Sequence, residues 1–113
     1  MGNLNDSEEG LSASSGNLFV IQHSIMKSVV KFVSTNQSPE KYVTELVNNT
    51  RMPGSYAILY NTYCNQPNDA KDRIMHALRT SACPNDFYEV DTQIAINMIK
   101  RESMRIPVIY DAE

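Results

Sequence analysis

Four side chains of this sequence are of types that ligate metals or act as nucleophile and base. They are His23, Cys64, His76 and Cys83. A zinc site usually draws its ligands from close pairs, such as two cysteines separated by two residues, and none of these four side chains is paired in that way. We therefore expect no metal site and no cofactor.

Cys83 is the side chain best placed for nucleophilic chemistry, because it lies just before a predicted helix, whose positive N-terminal end activates a thiol. Pro84 removes one backbone donor from that helix start, and no feature of the sequence brings a histidine beside Cys83. Glu89 and Asp91 do not share a helical face, so they do not form a pair of catalytic carboxylates, and no glycine-rich phosphate loop occurs. We predict that the protein is not an enzyme.

Aromatic and apolar side chains favour a different function, the binding of another protein. Three of the six tyrosines share one face if residues 55–64 are helical: Tyr56, Tyr60 and Tyr63. The C-terminal segment is a second candidate, since an extended apolar segment can add to a sheet edge of a partner or fill its groove; its residues are Pro107, Val108, Ile109 and Tyr110. The broad apolar stripe of the first predicted helix is a third. The alternative is that these residues pack within their own domain.

Basic side chains support an alternative function, the binding of nucleic acid. Six of them fall on the fourth and fifth predicted helices: Lys71, Arg73, Arg79, Lys100, Arg101 and Arg105. If the two helices converged, these cations could form a modest phosphate-binding patch. Their ordinary role is to complement helix dipoles and to solvate helix faces, and a net charge of −3 gives no general reason to expect nucleic acid. Nucleic acid therefore ranks behind protein as a partner.

The apolar pattern predicts an all-α fold, a compact bundle of about five short amphipathic helices. Apolar residues recur at helical spacing from Leu18 to Ser34, which indicates the first helix. Ser38 and Pro39 open the second as N-cap and first helical residue, and Asn48-Asn49 end it. The other three are predicted at residues 55–64, from Asn68 or Asp69 to before Pro84, and from Asp86 to Arg105, where acidic residues crowd the first turns and basic residues the last.

Residues 55–64 leave a second fold open, because their aromatic and β-branched side chains also suit a strand. In that case the fold is α+β, with Tyr56 to Tyr63 and Ile106 to Tyr110 paired as a small two-stranded element.

A length of 113 residues suggests one domain. We predict a disordered tail over residues 1–17, which are rich in Asn, Ser, Gly and acids, a helical domain over 18–105, and an extended C-terminal tail over 106–113. No early run has the pattern of a signal peptide, and no apolar stretch approaches the ~20 residues of a membrane helix. We expect an intracellular protein, cytoplasmic or nuclear, with reduced thiols and no membrane partner.

Together these observations predict a non-enzymatic interaction module, an adaptor or assembly subunit. It would bind another protein or a second copy of itself, as in a homodimer, through apolar surface.

Overall fold

The computed structural model describes residues 15–50 and 53–104, and these residues form an α+β fold rather than an all-α bundle. One antiparallel sheet has four strands: β1 (Ser15–His23), β2 (Val29–Thr35), β3 (Tyr56–Asn65) and β4 (Tyr88–Glu89). Their order across the sheet is β3-β1-β2-β4. Three α-helices complete this part of the chain: α1 (Pro39–Asn48), α2 (Pro67–Ala77) and α3 (Thr92–Ser103). The prediction of a five-helix bundle is wrong.

The segment predicted as the first helix is instead the hairpin of β1 and β2. Leu18, Phe19, Val20 and Ile21 are all completely buried. Four consecutive buried residues cannot lie on one stripe of a helix, but they suit a strand that is covered on both faces. Most of the apolar stripe expected to bind a partner is therefore interior to the domain, although Ile25, between the two strands, is exposed.

Helices cover both faces of the sheet, so the core has two parts. On one face, Leu18 and Val20 pack against α2 and α3, which contribute Ala70, Ile74, Ala95 and Ile99. On the other face, Phe19 and Ile21 pack against α1, which contributes Tyr42, Val43 and Leu46. The rings of Phe19 and Tyr42 meet edge to face, with centroids 5.7 Å apart. Strand β1 is thus the centre of the fold.

Local capping explains where α1 begins and ends. The Ser38 hydroxyl accepts a hydrogen bond from the Lys41 N–H at 3.1 Å, and Pro39 is the first helical residue. The last residue is Asn48, and Asn49 is the C-cap. These limits confirm the prediction for the second helix, because an N-cap depends on neighbouring residues alone.

Helix α3 begins later than the sequence pattern predicted. The Asp91 carboxylate caps it by accepting from the Gln93 N–H at 3.0 Å, so the first helical residue is Thr92. Asp86 lies instead in a 3₁₀ turn, and Glu89 is the last residue of β4. The prediction that these acidic residues form the first turns of the helix is therefore wrong, because they precede it.

Gly54 leads the chain into β3 where a side chain would not fit. Its φ is 108°, and a Cβ atom there would lie 2.5 Å from Cε1 of His23 and 2.7 Å from Oγ of Ser24. The His23 ring is itself buried, accepts a hydrogen bond at Nδ1 from the Ile25 N–H at 3.1 Å, and packs edge to face on Tyr56. This end of the sheet therefore depends on a residue without a side chain.

The predicted tails fall largely beyond the described residues. Strand β1 begins at Ser15, inside the segment 1–17, while residues 1–14 and 105–113 lie outside the description. Within the described ranges, none of the helices has both the length and the apolar character needed to cross a membrane.

The free energy of unfolding should fall at high pH, because several tyrosine and cysteine side chains that are uncharged at neutral pH are partly or fully buried. Burial raises the pKa of Tyr42, with a smaller contribution from Tyr56, and burial likewise raises the pKa of Tyr56 and of the Cys64 thiol. When the folded pKa exceeds the unfolded one, the unfolded chain loses its proton first as pH rises. The stabilisation is therefore complete below the unfolded value and is lost as pH passes through the folded value.

Urea unfolding followed between about pH 7 and pH 11 measures this loss. The substitution Tyr42→Phe, which removes one of these titrating hydroxyls, should flatten the decline. A stability that stays level or increases above about pH 10 would contradict the prediction.

Candidate functional site

Strand β3 forms one edge of the sheet. It pairs with β1 on one side, and no other strand of the described residues pairs with it on the opposite side. Its ten residues make it long compared with a typical strand of about five or six. Since an edge strand presents unpaired N–H and C=O groups, β3 offers a template for another extended segment.

The side chains of β3 leave this edge chemically unprotected. The strand has no charged residue, no proline and no glycine, although natural edge strands commonly carry lysine or proline to prevent further pairing. A β-bulge at Leu59 interrupts the ladder, because Val20 pairs with Tyr60 while Ile21 pairs with Ile58. Beyond the bulge the register is regular, and residues 60–64 of this regular part are here called the free edge.

The three predicted partner-binding tyrosines all lie on β3, but they do not share one face. Tyr56 packs with the α1 side of the core, whereas Tyr60 packs on the side of α2 and α3. Tyr63 pairs with Asn17, which strand alternation places on the same face as Phe19, and is 64% exposed. The prediction of a tyrosine face on a helix is wrong because residues 55–64 are not helical.

Helix α3 brings a lysine to the free edge. The Lys100 ammonium lies over the Tyr60 ring, 5.3 Å from its centroid, and the side chain is exposed. Among the described residues, no carboxylate lies within ion-pair distance of this ammonium. The edge is therefore flanked by an uncompensated positive charge on the side of α2 and α3.

Two of the six basic residues named for nucleic-acid binding, Arg73 on α2 and Arg101 on α3, contact the same carboxylate. Glu102 is only 6% exposed. Its Oε1 lies 2.7 Å from Nε of Arg73, and its Oε2 lies 3.3 Å from Nε of Arg101. Removal of the carboxylate would leave two guanidinium groups facing each other, so the cluster serves first to join the two helices.

The remaining predicted sites are not brought together with this cluster. Arg79 follows α2, and its Nη1 donates to the His76 carbonyl at 2.7 Å. Lys71 lies on α2 and is half-buried. Arg105 and the C-terminal segment lie outside the described residues, the latter consisting of Pro107, Val108, Ile109 and Tyr110.

The thiols and imidazoles are dispersed through the fold. Cys64 is buried on β3, while Cys83 is half-buried and its thiol donates weakly to the Ser81 carbonyl at 3.7 Å. His23 is buried at the end of β1, and His76 is exposed on α2. Within residues 15–50 and 53–104, no three His, Cys, Asp or Glu side chains come together to hold a metal ion.

Cys83 lines an apolar pocket of about 250 Å³ between the start of β2 and the turn before β4. The other lining residues are Met26, Val29, Pro84, Asn85 and Phe87. The Lys31 ammonium closes one side by donating to the Asn85 carbonyl and lying over the Phe87 ring. Among the described residues, no hydrogen bond joins the Cys83 thiol to a histidine, and the lining of the pocket includes no histidine or carboxylate.

The sequence pattern predicted neither the free edge nor the position of Lys100 beside it, and Lys100 was named only as a candidate for nucleic-acid binding. A signal for the edge was present in the sequence, since residues 56–65 form a ten-residue run without charge, proline or glycine. The contact of Lys100 with Tyr60 had no such signal, because the two residues are far apart along the chain.

No family model, no curated protein and no solved structure matches this chain.

Proposed function

We propose that this protein is a non-enzymatic interaction module that binds an extended segment of a partner protein by strand addition to the free edge of β3. The observation that carries the proposal is the length of this edge strand together with its lack of any protecting charge or proline. Strand addition satisfies the unpaired backbone groups of the edge, and neighbouring side chains supply specificity.

Side chains on both faces of the sheet would contact the added strand. On the α1 side, exposed Asn61 and Tyr63 can contact alternate side chains of the partner. On the other side, Tyr60 and the Lys100 ammonium above it contact the intervening ones. A tyrosine ring provides a large contact area for little loss of side-chain entropy, so Tyr63 is the best candidate for an anchor.

The binding of nucleic acid is the weaker candidate. Arg73 and Arg101 both form ion pairs with Glu102. Binding along a phosphate backbone requires several cations that are not already paired.

Placing a lysine on the free edge should weaken binding without unfolding the protein. Asn61 is exposed on β3, and a charge introduced on an edge strand opposes further pairing. We expect Asn61→Lys to weaken the binding of an extended peptide by at least about tenfold, which corresponds to ~1.4 kcal/mol. Asn48→Lys is the matched control, since it makes the same substitution at an exposed position of α1.

Peptides of about ten residues are selected from a random display library on the full wild-type chain. The affinity of the selected peptides is then measured for the wild type, for Asn61→Lys and for Asn48→Lys. Circular dichroism and urea unfolding establish that both variants fold. Amide chemical shifts should change mainly along β3 when a peptide binds. Equal affinity for Asn61→Lys and Asn48→Lys, or shift changes confined to other elements, would contradict strand addition.

A second copy of the chain is one form that the partner could take. Sedimentation of the full chain over a range of concentrations measures self-association, and the same Asn61→Lys substitution should abolish it. A monomer at every concentration, combined with peptide binding at the edge, would assign the edge to a different protein.

A further inference from the structure

We infer that the partner segment carries an acidic side chain, which Lys100 binds beside the free edge. This inference rests on the proposed function and specifies the chemistry of the partner. It begins from the position of α3, which packs against β3 and brings Lys100 over Tyr60.

The charge around this end of α3 is unbalanced. Three cations lie there, Arg73, Arg101 and Lys100, and the carboxylate that the two arginines contact is Glu102. Strand β3 itself contributes no charge. The Lys100 ammonium is the cation of the three without an anionic partner among the described residues, so it is the one available to a ligand.

The geometry places this ammonium within reach of an added strand. Side chains directly opposite each other on neighbouring antiparallel strands have Cβ atoms about 5 Å apart. A residue opposite Tyr60 would project on the same face as the Tyr60 ring, over which Lys100 already lies. A carboxylate at that position would form a charge-assisted hydrogen bond with the ammonium, and this kind of bond is stronger than a neutral one.

An acidic peptide fits these observations better than a nucleic acid does. A phosphate backbone presents a row of negative charges and is matched by a row of free cations. Within residues 15–50 and 53–104, the edge offers one ammonium without an anionic partner, next to a line of backbone donors and acceptors. A single carboxylate on an otherwise uncharged strand matches that pattern, and it would fix the register of the added strand.

Reversing the charge of Lys100 tests the inference. Random peptides of about ten residues are selected on the full chain and on Lys100→Glu. We expect the peptides selected on the wild-type chain to share an Asp or Glu at one position, and those selected on Lys100→Glu to carry Lys or Arg there. A wild-type-selected peptide should bind Lys100→Glu at least about tenfold more weakly.

Two further variants serve as controls. Lys100→Gln removes the charge without reversing it and should weaken the same peptide by a smaller factor. Lys41→Glu makes the identical charge change at an exposed position of α1 and should leave the affinity unchanged, because α1 packs on the opposite face of the sheet.

The possible results separate the two proposals. Peptides that bind at β3 without a shared acid, or whose selection is unchanged by Lys100→Glu, would overturn the inference and leave strand addition intact. The absence of any selected peptide would overturn both. Salt-sensitive binding of a single-stranded DNA probe that is lost in Lys100→Glu, with no preference for acidic peptides, would assign the cations to nucleic acid and overturn the inference.

Discussion

Replacing Gly54 with alanine is expected to lower the free energy of unfolding by about 3 kcal/mol or more. A non-glycine residue at positive φ costs roughly 1–2 kcal/mol, and the φ of Gly54 is 108°. The new Cβ would also lie 2.5 Å from the His23 ring, which is buried and held by the Ile25 N–H and the Tyr56 ring. Forcing extra atoms into a packed site typically costs a further 1–3 kcal/mol.

Urea unfolding monitored by circular dichroism measures this loss. Ser55→Ala, at the next and exposed position, should change stability by no more than about 0.5 kcal/mol. In the double variant His23→Ala/Gly54→Ala the clash with the His23 ring should disappear, while the backbone cost and the close approach to Oγ of Ser24 remain, so the two substitutions should not be additive. A Gly54→Ala protein as stable as the wild type would show that the turn into β3 does not require this conformation.

Replacing Phe19 with alanine is expected to cost about 3–5 kcal/mol, as the truncation of buried aromatic side chains does. Phe19 is completely buried between the sheet and α1 and meets the Tyr42 ring. Because α1 is the helix that covers this face in the described residues, little else can move to fill the cavity. The loss is a large share of the 5–15 kcal/mol that stabilises a typical domain.

Hydrogen exchange locates the effect as well as measuring it. Amides of α1 should exchange faster in Phe19→Ala than those of α2, since local opening releases the helix whose contacts are lost. Phe19→Leu retains much of the volume and should cost less, and Tyr42→Phe, which keeps the ring, should cost under about 1.5 kcal/mol. Uniform acceleration across α1 and α2 would contradict a core in two parts.

Elements defined by neighbouring residues could be predicted from the sequence. Ser38 and Pro39 specify the start of α1 through a side-chain cap and a residue suited to the first turn, and the structure has both. The second half of α3 followed from its apolar spacing and its basic end. In each case the decisive interactions lie within a few residues of one another.

Elements defined by distant contacts could not be predicted in this way. The apolar residues from Leu18 to Phe32 satisfy a helical period, and only the presence of helices on both sides of β1 makes four consecutive residues buried. Residues 55–64 suited either a helix or a strand, and pairing with β1 decided between them. The acids before α3 suited a helix start, but the Asp91 cap moved that start to Thr92.

The candidate site was predicted in part for the same reason. Tyr56, Tyr60 and Tyr63 were selected as binding residues because helical spacing would place them on one face, and they lie on the strand that forms the edge of the sheet. Their distribution over two faces, and the position of Lys100 above one of them, depend on sheet order and helix packing. These properties involve residues far apart along the chain.

The central position of β1 has a consequence for synthesis on the ribosome. Although β1 is the first described strand, its partner β3 is translated only after β2, α1 and the turn at Gly54. At about 5–20 residues per second, the interval lasts a few seconds. During that time the nascent hairpin of β1 and β2 exposes its most hydrophobic strand along an edge that is not yet paired. A chaperone that binds nascent chains would find its target at that edge.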